Sequence, residues 1–345
     1  MSGNFLIVGA GFSGATIARE LADAGHHVDI IDKRPHLAGN AYDEVEPFTG
    51  IRVHRYGPHL FHTNEQQVVD YLSRFTEWLP YEHKVKALWR GEFIIFPINR
   101  ASRNTIDKHR GRGDQFNIVE EFYGKYTRKM WGIKPEDLDP SILARVPMRK
   151  DFEPRYFPKD KFQALPKDGY TELVKQMLDH PNITRTTGFW FVKDMESEYD
   201  HVFNSMPIDE YYDFEHGELP YRSIKFHTVN LPAPQLYGYP VVNFTHEGPH
   251  TRVTEWKLLP GHGTNEHYTT LTFEEPCDYR DNNMERYYPV KDLKGENRAR
   301  YQKYKDIPNG KVTFIGRTGL YAYLDMHHAV NISLQTAKKF LATQT

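Results

Sequence analysis

The glycines of Gly9-Ala10-Gly11-Phe12-Ser13-Gly14, with Asp32 beyond them, are spaced to hold the diphosphate and ribose of a dinucleotide. Gly9 permits a tight turn, Gly11 lets the main chain approach a pyrophosphate, and Gly14 lets the next helix lie on the preceding strand. The Asp32 carboxylate can accept hydrogen bonds from ribose hydroxyls. Spacing alone does not select the dinucleotide, because an NAD dehydrogenase satisfies the same pattern. After Asp32, the basic loop Lys33-Arg34-Pro35-His36-Leu37-Ala38-Gly39-Asn40 is of the sort that carries a longer cofactor onward. His59 and His62 are spaced His-x-x-His, but no cysteine or acid stands at ligand spacing beside them, so no metal is expected. Aromatic residues make up 14% of the chain, with 22 tyrosines, several close to arginines, which suits stacking on rings and pairing with phosphate.

These residues need elements to position them. Phe5-Leu6-Ile7-Val8 is a continuous apolar run, as expected of a strand buried on both faces of a parallel sheet. Ala15, Ala18, Leu21 and Ala22 form a helical stripe that Gly25 stops, and Val28-Asp29-Ile30-Ile31 is a second strand ending in Asp32. Far along the chain, Val312-Thr313-Phe314-Ile315-Gly316-Arg317 reads as a strand entering a glycine turn, with a final helix from about Met326 to Ala342. Asp200 to Asn204 is a further strand returning to this domain.

Between 100 and 163 the pattern is helical, with Ile118, Phe122, Tyr126 and Lys129 at α-helical spacing and Pro135 opening a new segment. Arg110 to Asp114 is the expected mobile loop. From about Ile224 to Phe273 the pattern turns to strands, namely Val241–Phe244, Thr251–Lys257 and Tyr268–Phe273, in an antiparallel sheet. The expected fold is α/β: a Rossmann-like dinucleotide domain (1–79, 165–207 and 309–345), a helical domain (98–164) and an antiparallel sheet domain (80–97 and 208–308). The net charge of -2 gives no global attraction to nucleic acid or to an anionic membrane, and no apolar run is long enough to cross a bilayer. The lone cysteine, Cys277, excludes an intrachain disulfide, and the chain reads as cytoplasmic.

Five separated motifs make the chain resemble the UDP-galactopyranose mutase family: Gly9 to Gly14, Tyr56-Gly57-Pro58-His59-Leu60-Phe61-His62-Thr63, Tyr126-Thr127-Arg128-Lys129-Met130-Trp131-Gly132, Ser141-Ile142-Leu143-Ala144-Arg145, and Gly316 to Met326. The resemblance covers nearly the full length. It implies FAD, active in its reduced form, a helical domain and a six-stranded sheet around a sugar-nucleotide cleft, a homodimer, and an external reductant such as NAD(P)H. The family interconverts UDP-galactopyranose and UDP-galactofuranose, for glycan synthesis, with no net oxidation: flavin N5 attacks the anomeric carbon, UDP leaves, the ring opens and recloses, and UDP returns.

The resemblance also implies roles. Arg145 and Arg252 hold the diphosphate, with Tyr288 and Tyr323 touching it. Tyr126 and Tyr156 are stacking positions for uracil, with Phe122, Tyr123, Thr127 and Asn243 nearby, and Trp131 belongs to a mobile loop over the substrate. His59, His62 and His83 face the flavin and sugar, with His62 counted among the catalytic residues. Gly9, Gly11, Phe12, Ser13, Gly14, Asp32, Lys33, Gly39, Asn40, His59, His62, Arg317, Leu324, Asp325 and Met326 contact FAD.

The chain departs from the family pattern at three places: a shorter segment between Asn99 and Phe122, His83 in place of an asparagine, and Ala38 in place of a glycine, which a slight loop adjustment should accommodate. Other sugar nucleotides (UDP-N-acetylgalactosamine or a dTDP-6-deoxyhexose), an amine-oxidase-like FAD oxidoreductase and a non-catalytic flavoprotein remain alternatives. His59 favours plain galactose over its N-acetyl form.

Overall fold

The computed structural model describes residues 2–110, 117–132, 134 and 148–344. The expected loop at 110–114 lies almost wholly outside them, as do the 141–145 motif and its Arg145.

The apolar run at the start becomes the strand β1 (Asn4–Val8), followed by the helix α1 (Phe12–Asp23) and the strand β2 (His27–Asp32). β1 lies at the centre of a five-stranded sheet, in the order Ile183–Thr187, β2, β1, His201–Asn204, Val312–Phe314. Every described pairing in it is parallel. The chain moves from β1 to β2 on one side and places 201–204 on the other, so the sheet switches direction at β1. Ligands of such sheets bind at that switch, outside the carboxyl ends of the strands. The final helix, Met326–Gln344, returns to pack on α1, and Phe5, Ile7, Ile17, Leu21 and Val330 are among the fully buried side chains between these layers.

A second sheet has seven strands, in the order Tyr288–Pro289, Tyr221–Leu231, Thr269–Asp278, Arg252–Glu255, Val241–Phe244, Val85–Trp89, Glu92–Phe96. It differs from the expected sheet in two ways. The two-residue strand at 288–289 is an addition to the six expected. The pair 241–244 with 85–89 is parallel, while the other pairings are antiparallel. A parallel neighbour needs a long crossover, and more than a hundred residues separate these two strands, a relation that no local pattern in the sequence displays.

A small three-stranded sheet joins Phe61–Thr63 to Phe162–Pro166 and the latter to Trp78–Pro80. It sets His62 opposite Gln163, and so brings the 157–160 turn beside the His62 side chain.

The helical pattern around Phe122 is not a continuous α-helix. Glu120–Gly124 winds as a π-helical turn before the helix Lys125–Trp131 resumes α geometry. Phe122, Tyr123, Tyr126 and Thr127, from the π-helical turn and the helix that follows it, all line one cavity. Arg222 closes the far end of the helix, donating from Nε to the Met130 carbonyl (2.8 Å) and from Nη2 to that of Lys129 (3.1 Å). A cation suits the negative end of a helix.

Candidate active site

The first cavity, of about 300 Å³, opens at the carboxyl ends of the parallel strands, where Val8, Gly9, Asp32, Ser205 and Gly316 line it. Gly9 has φ +101°, and a Cβ there would stand 1.9 Å from Ser205 Oγ. A Cβ on Gly14 would stand 1.9 Å from the Gly9 carbonyl oxygen, so the helix approaches the strand only because residue 14 is glycine. Gly11 is different. A Cβ there would come no nearer than 3.7 Å to any protein atom, so the protein itself does not forbid a side chain. The cradle it leaves open faces the cavity, at the amino end of α1. No side chain caps that end, and no acidic residue lies in its first turn, which leaves main-chain N–H groups and the positive end of the helix for an anion. This donor set fits the diphosphate of FAD.

Asp32 does more than face a ribose. Its Oδ2 accepts the Ala10 N–H (2.8 Å) and its Oδ1 the Arg34 N–H (2.9 Å), so the carboxylate also pins the glycine turn to the next loop. Ala38, expected to need a small loop adjustment, instead keeps the left-handed conformation that a glycine would take (φ +68°). Arg34, to which no role was assigned from the sequence, donates to Asn40 Oδ1 (2.8 Å), pairs with Glu285 and lies over the Tyr56 ring (4.3 Å). Lys33 lies over the exposed Trp190 (5.4 Å), and Phe189 and Trp190 line the same cavity. The lining also includes Phe12, Ser13, Gly39, Asn40, Leu324 and Met326.

A second cavity, again about 300 Å³, lies under the seven-stranded sheet, and His59, Arg317, Asp325 and Met326 line both. The two cavities therefore meet at those four residues. Every substrate-contact position expected from the sequence and within the described residues lines the second: Phe122, Tyr123, Tyr126, Thr127, Trp131, Tyr156, Asn243, Arg252, Tyr288, Tyr323, His59 and His83. His62 lines it too, although it was expected among the cofactor contacts.

Register explains much of this. Asn243 lies across from Arg252, and Arg252 across from Glu274, so all three lie side by side on the sheet. Arg252 Nε is 2.7 Å from Glu274 Oε1, and Glu274 is 1% exposed. That carboxylate holds the Arg252 guanidinium further toward its charged form than usual, against the cost of desolvation. At the cavity junction, Arg317 donates to the carbonyls of Tyr287 (3.1 Å) and Leu324 (2.6 Å) and lies over Tyr288 and Tyr323, which stack with centroids 5.3 Å apart. Trp131 is buried and packs edge-on against Tyr288.

His62 has a partner that the sequence did not disclose. Its Nδ1 is 2.6 Å from Asp160 Oδ2, Asn64 Nδ2 donates to the other oxygen (2.9 Å), and Phe157 stacks on the ring at 3.5 Å. His59 accepts no such partner: its Nδ1 meets the Gly57 carbonyl (2.8 Å) and its main-chain N–H donates to His54 Nδ1 (3.0 Å).

Three histidines are buried and held uncharged by desolvation: His83 is pushed down to about 3, His262 to about 4, and His54 well below the usual imidazole range. The unfolded chain takes up protons near pH 6.5 that these folded side chains refuse. Their contribution to stability is therefore present above pH 6.5 and is lost as pH falls toward 4, at about 1.4 kcal/mol per group per pH unit. Melting temperature should drop between pH 7 and pH 5, and the drop should be smaller in His83→Asn. An equal slope in the two proteins would show that His83 is not buried neutral.

Residues 121–323 match the model of the UDP-galactopyranose mutase family, and residues 7–75 match an NAD(P)-binding Rossmann-like domain. A probable UDP-galactopyranose mutase of Klebsiella pneumoniae is 35% identical, over 99% of this chain and 95% of its own length. A dTDP-fucopyranose mutase of Escherichia coli is 34% identical, over 97% and 98%. Among solved structures, reduced UDP-galactopyranose mutase superposes with a TM-score of 0.77 at 15% identity, covering 99% of this chain and 94% of that one, and putrescine oxidase with 0.61 at 14%, covering 99% of each. With a family model that spans more than half of the chain and a relative this similar along its whole length, the chain belongs to the UDP-galactopyranose mutase family of isomerases.

Proposed function

We propose that this enzyme interconverts UDP-galactopyranose and UDP-galactofuranose on reduced FAD, with no net redox change. The observation that carries this is the meeting of a dinucleotide cavity and an aromatic, arginine-bearing cavity at His59, Arg317, Asp325 and Met326. A cofactor anchored at Gly9 to Gly14 would extend its reactive end to that junction. When bound, reduced flavin supplies the nucleophile for the anomeric carbon.

The protein's own part is to hold and orient. Arg252 holds the UDP diphosphate while it is detached from the sugar, together with Arg145, which lies outside the described residues. Forked, permanently charged donors suit that task. Glu274 fixes the Arg252 side chain from behind. Tyr288 and Tyr323, stacked under Arg317, present hydroxyls to the same diphosphate, and uracil lies among Phe122, Tyr123, Tyr126, Thr127, Tyr156 and Asn243. Trp131 closes water out of the sugar subsite, where His59 and His83 meet the hexose as neutral donors or acceptors. His62, fixed by Asp160 and Phe157, lines the same cavity and would face the flavin from it. Residues 80–97 and 208–308 form the sheet domain, which supplies His83, Asn243, Arg252 and Tyr288; 98–164 form the helical domain, which supplies Phe122 to Trp131 and Tyr156; and the remainder forms the FAD domain. The enzyme works as a cytoplasmic homodimer that receives electrons from NAD(P)H and supplies galactofuranose for surface glycans.

A second reading keeps the chemistry and changes the sugar nucleotide. The dTDP-fucopyranose mutase matches this chain almost as well as the Klebsiella relative does, and His83 replaces the asparagine expected at the sugar subsite. Dithionite-reduced protein should be given UDP-galactofuranose and dTDP-fucofuranose side by side, with products resolved by chromatography. Faster conversion of the UDP sugar is the expected result. Conversion of the dTDP sugar alone, by protein with fully reduced flavin, would replace the first reading by the second.

A further inference from the structure

We propose that His227, His250 and Glu275 form a divalent transition-metal site on the face of the seven-stranded sheet that points away from the substrate cavity. The three side chains come from three segments: the 221–231 strand, the turn before 252–255, and the 269–278 strand. One ligand atom from each lies within 4.8 Å of the others. His227 Nε2 is already 2.8 Å from Glu275 Oε2, and the His227 and His250 rings meet edge-on with centroids 5.7 Å apart.

The strand ladder supplies the rigidity. His227 lies opposite Phe273 and Glu275 opposite Lys225, so His227 and Glu275 are diagonal neighbours on one face. Side chains alternate along a strand, which puts Glu274 on the cavity side with Arg252, and Glu275 behind it. His250 is anchored through its main chain: its carbonyl accepts Lys129 Nζ (2.8 Å), and the next N–H, of Thr251, donates to the Glu274 carbonyl (2.8 Å).

The donors are also available. Among the described residues, no ring nitrogen of His250 makes a hydrogen bond and no lysine or arginine pairs with the Glu275 carboxylate, Lys225 across from it included. Two imidazoles and one carboxylate, with the exposed His227 leaving room for water in a fourth position, suit zinc or its neighbours rather than calcium or magnesium. Ligand atoms around a tetrahedral zinc lie about 3.3 Å apart, given bonds of about 2.0 Å. Rotation of the exposed His227 supplies that small closure. An ion here would tie together the 245–250 turn, on which Lys129 of the 125–131 helix rests, and the strand that carries Glu274.

Zinc chloride titrated into flavin-loaded, metal-stripped protein should bind with low-micromolar affinity or better, by calorimetry, and raise the melting temperature by a few degrees. His250→Ala and His227→Ala should each weaken that binding at least tenfold and abolish the thermal shift, while His328→Ala should leave both unchanged. The melting temperature of each variant without zinc reports whether it is folded. The proposal fails if wild-type protein takes up no zinc. It fails equally if binding survives His250→Ala and disappears in His328→Ala, which would place the ion at the other cluster, Glu65, His327 and His328.

Discussion

Arg252→Ala is expected to lower turnover by about a thousandfold while leaving the protein yellow. The size follows from removing a preorganised charged donor from the group that carries the transition-state charge. Flavin should remain because Arg252 lines the substrate cavity alone and takes no part in the dinucleotide cavity. Stability should fall as well, by about 3–5 kcal/mol, because the substitution strands the Glu274 carboxylate at 1% exposure without its cation. The two effects can be separated. The double variant Arg252→Ala, Glu274→Ala should recover most of the melting temperature and none of the turnover. Recovery of activity in the double variant would mean that Arg252 acts on stability only.

The second large effect concerns the glycine turn and divides into two different outcomes. In Gly14→Ala the new methyl would lie 1.9 Å from a main-chain oxygen, which no rotamer change relieves, so α1 must move off β1. A loss of about 3 kcal/mol or more, poor yield and colourless protein are expected. In Gly11→Ala the methyl meets the Gly39 Cα at 3.7 Å, an ordinary contact. The apoprotein should therefore melt within a degree or two of wild type and still fail to hold flavin, because the methyl fills the space where the diphosphate must pass. The ratio of flavin to protein absorbance, with a melting curve, distinguishes the two. Normal flavin content in Gly11→Ala would remove the diphosphate from that position.

The features legible in the sequence were those that local spacing encodes. Gly9 to Gly14, Asp32, the 312–317 strand and turn and the final helix each follow from short-range periodicity and turn chemistry, and each is where it was expected. The partners of the functional groups were not legible, because they arrive from elsewhere in the chain. Asp160 reaches His62 across 98 residues through the pairing of 61–63 with 162–166. Glu274 reaches Arg252 through the pairing of 252–255 with 269–278. Acidic residues are common, and nothing in the local sequence marks these two. The π-helical turn at Glu120–Gly124 was hidden for another reason: Phe122 and Tyr126 stand one α-turn apart, so the sequence reads as ordinary helix. Ala38 shows the converse, since alanine gives no hint of a positive φ; in the folded chain its N–H donates to the Ala10 carbonyl (2.9 Å).

The cofactor held at Gly9 to Gly14 takes part in each turnover of the proposed reaction and is returned in the oxidation state in which it began. The direct test is to reduce the flavoprotein once under anaerobic conditions, remove excess reductant, add a hundredfold excess of UDP-galactofuranose and follow flavin absorbance and product together. Many turnovers per flavin are expected, with the spectrum still that of reduced flavin at the end. One product per flavin, with the oxidised spectrum returning in step, would show a redox enzyme on the same scaffold and contradict that expectation.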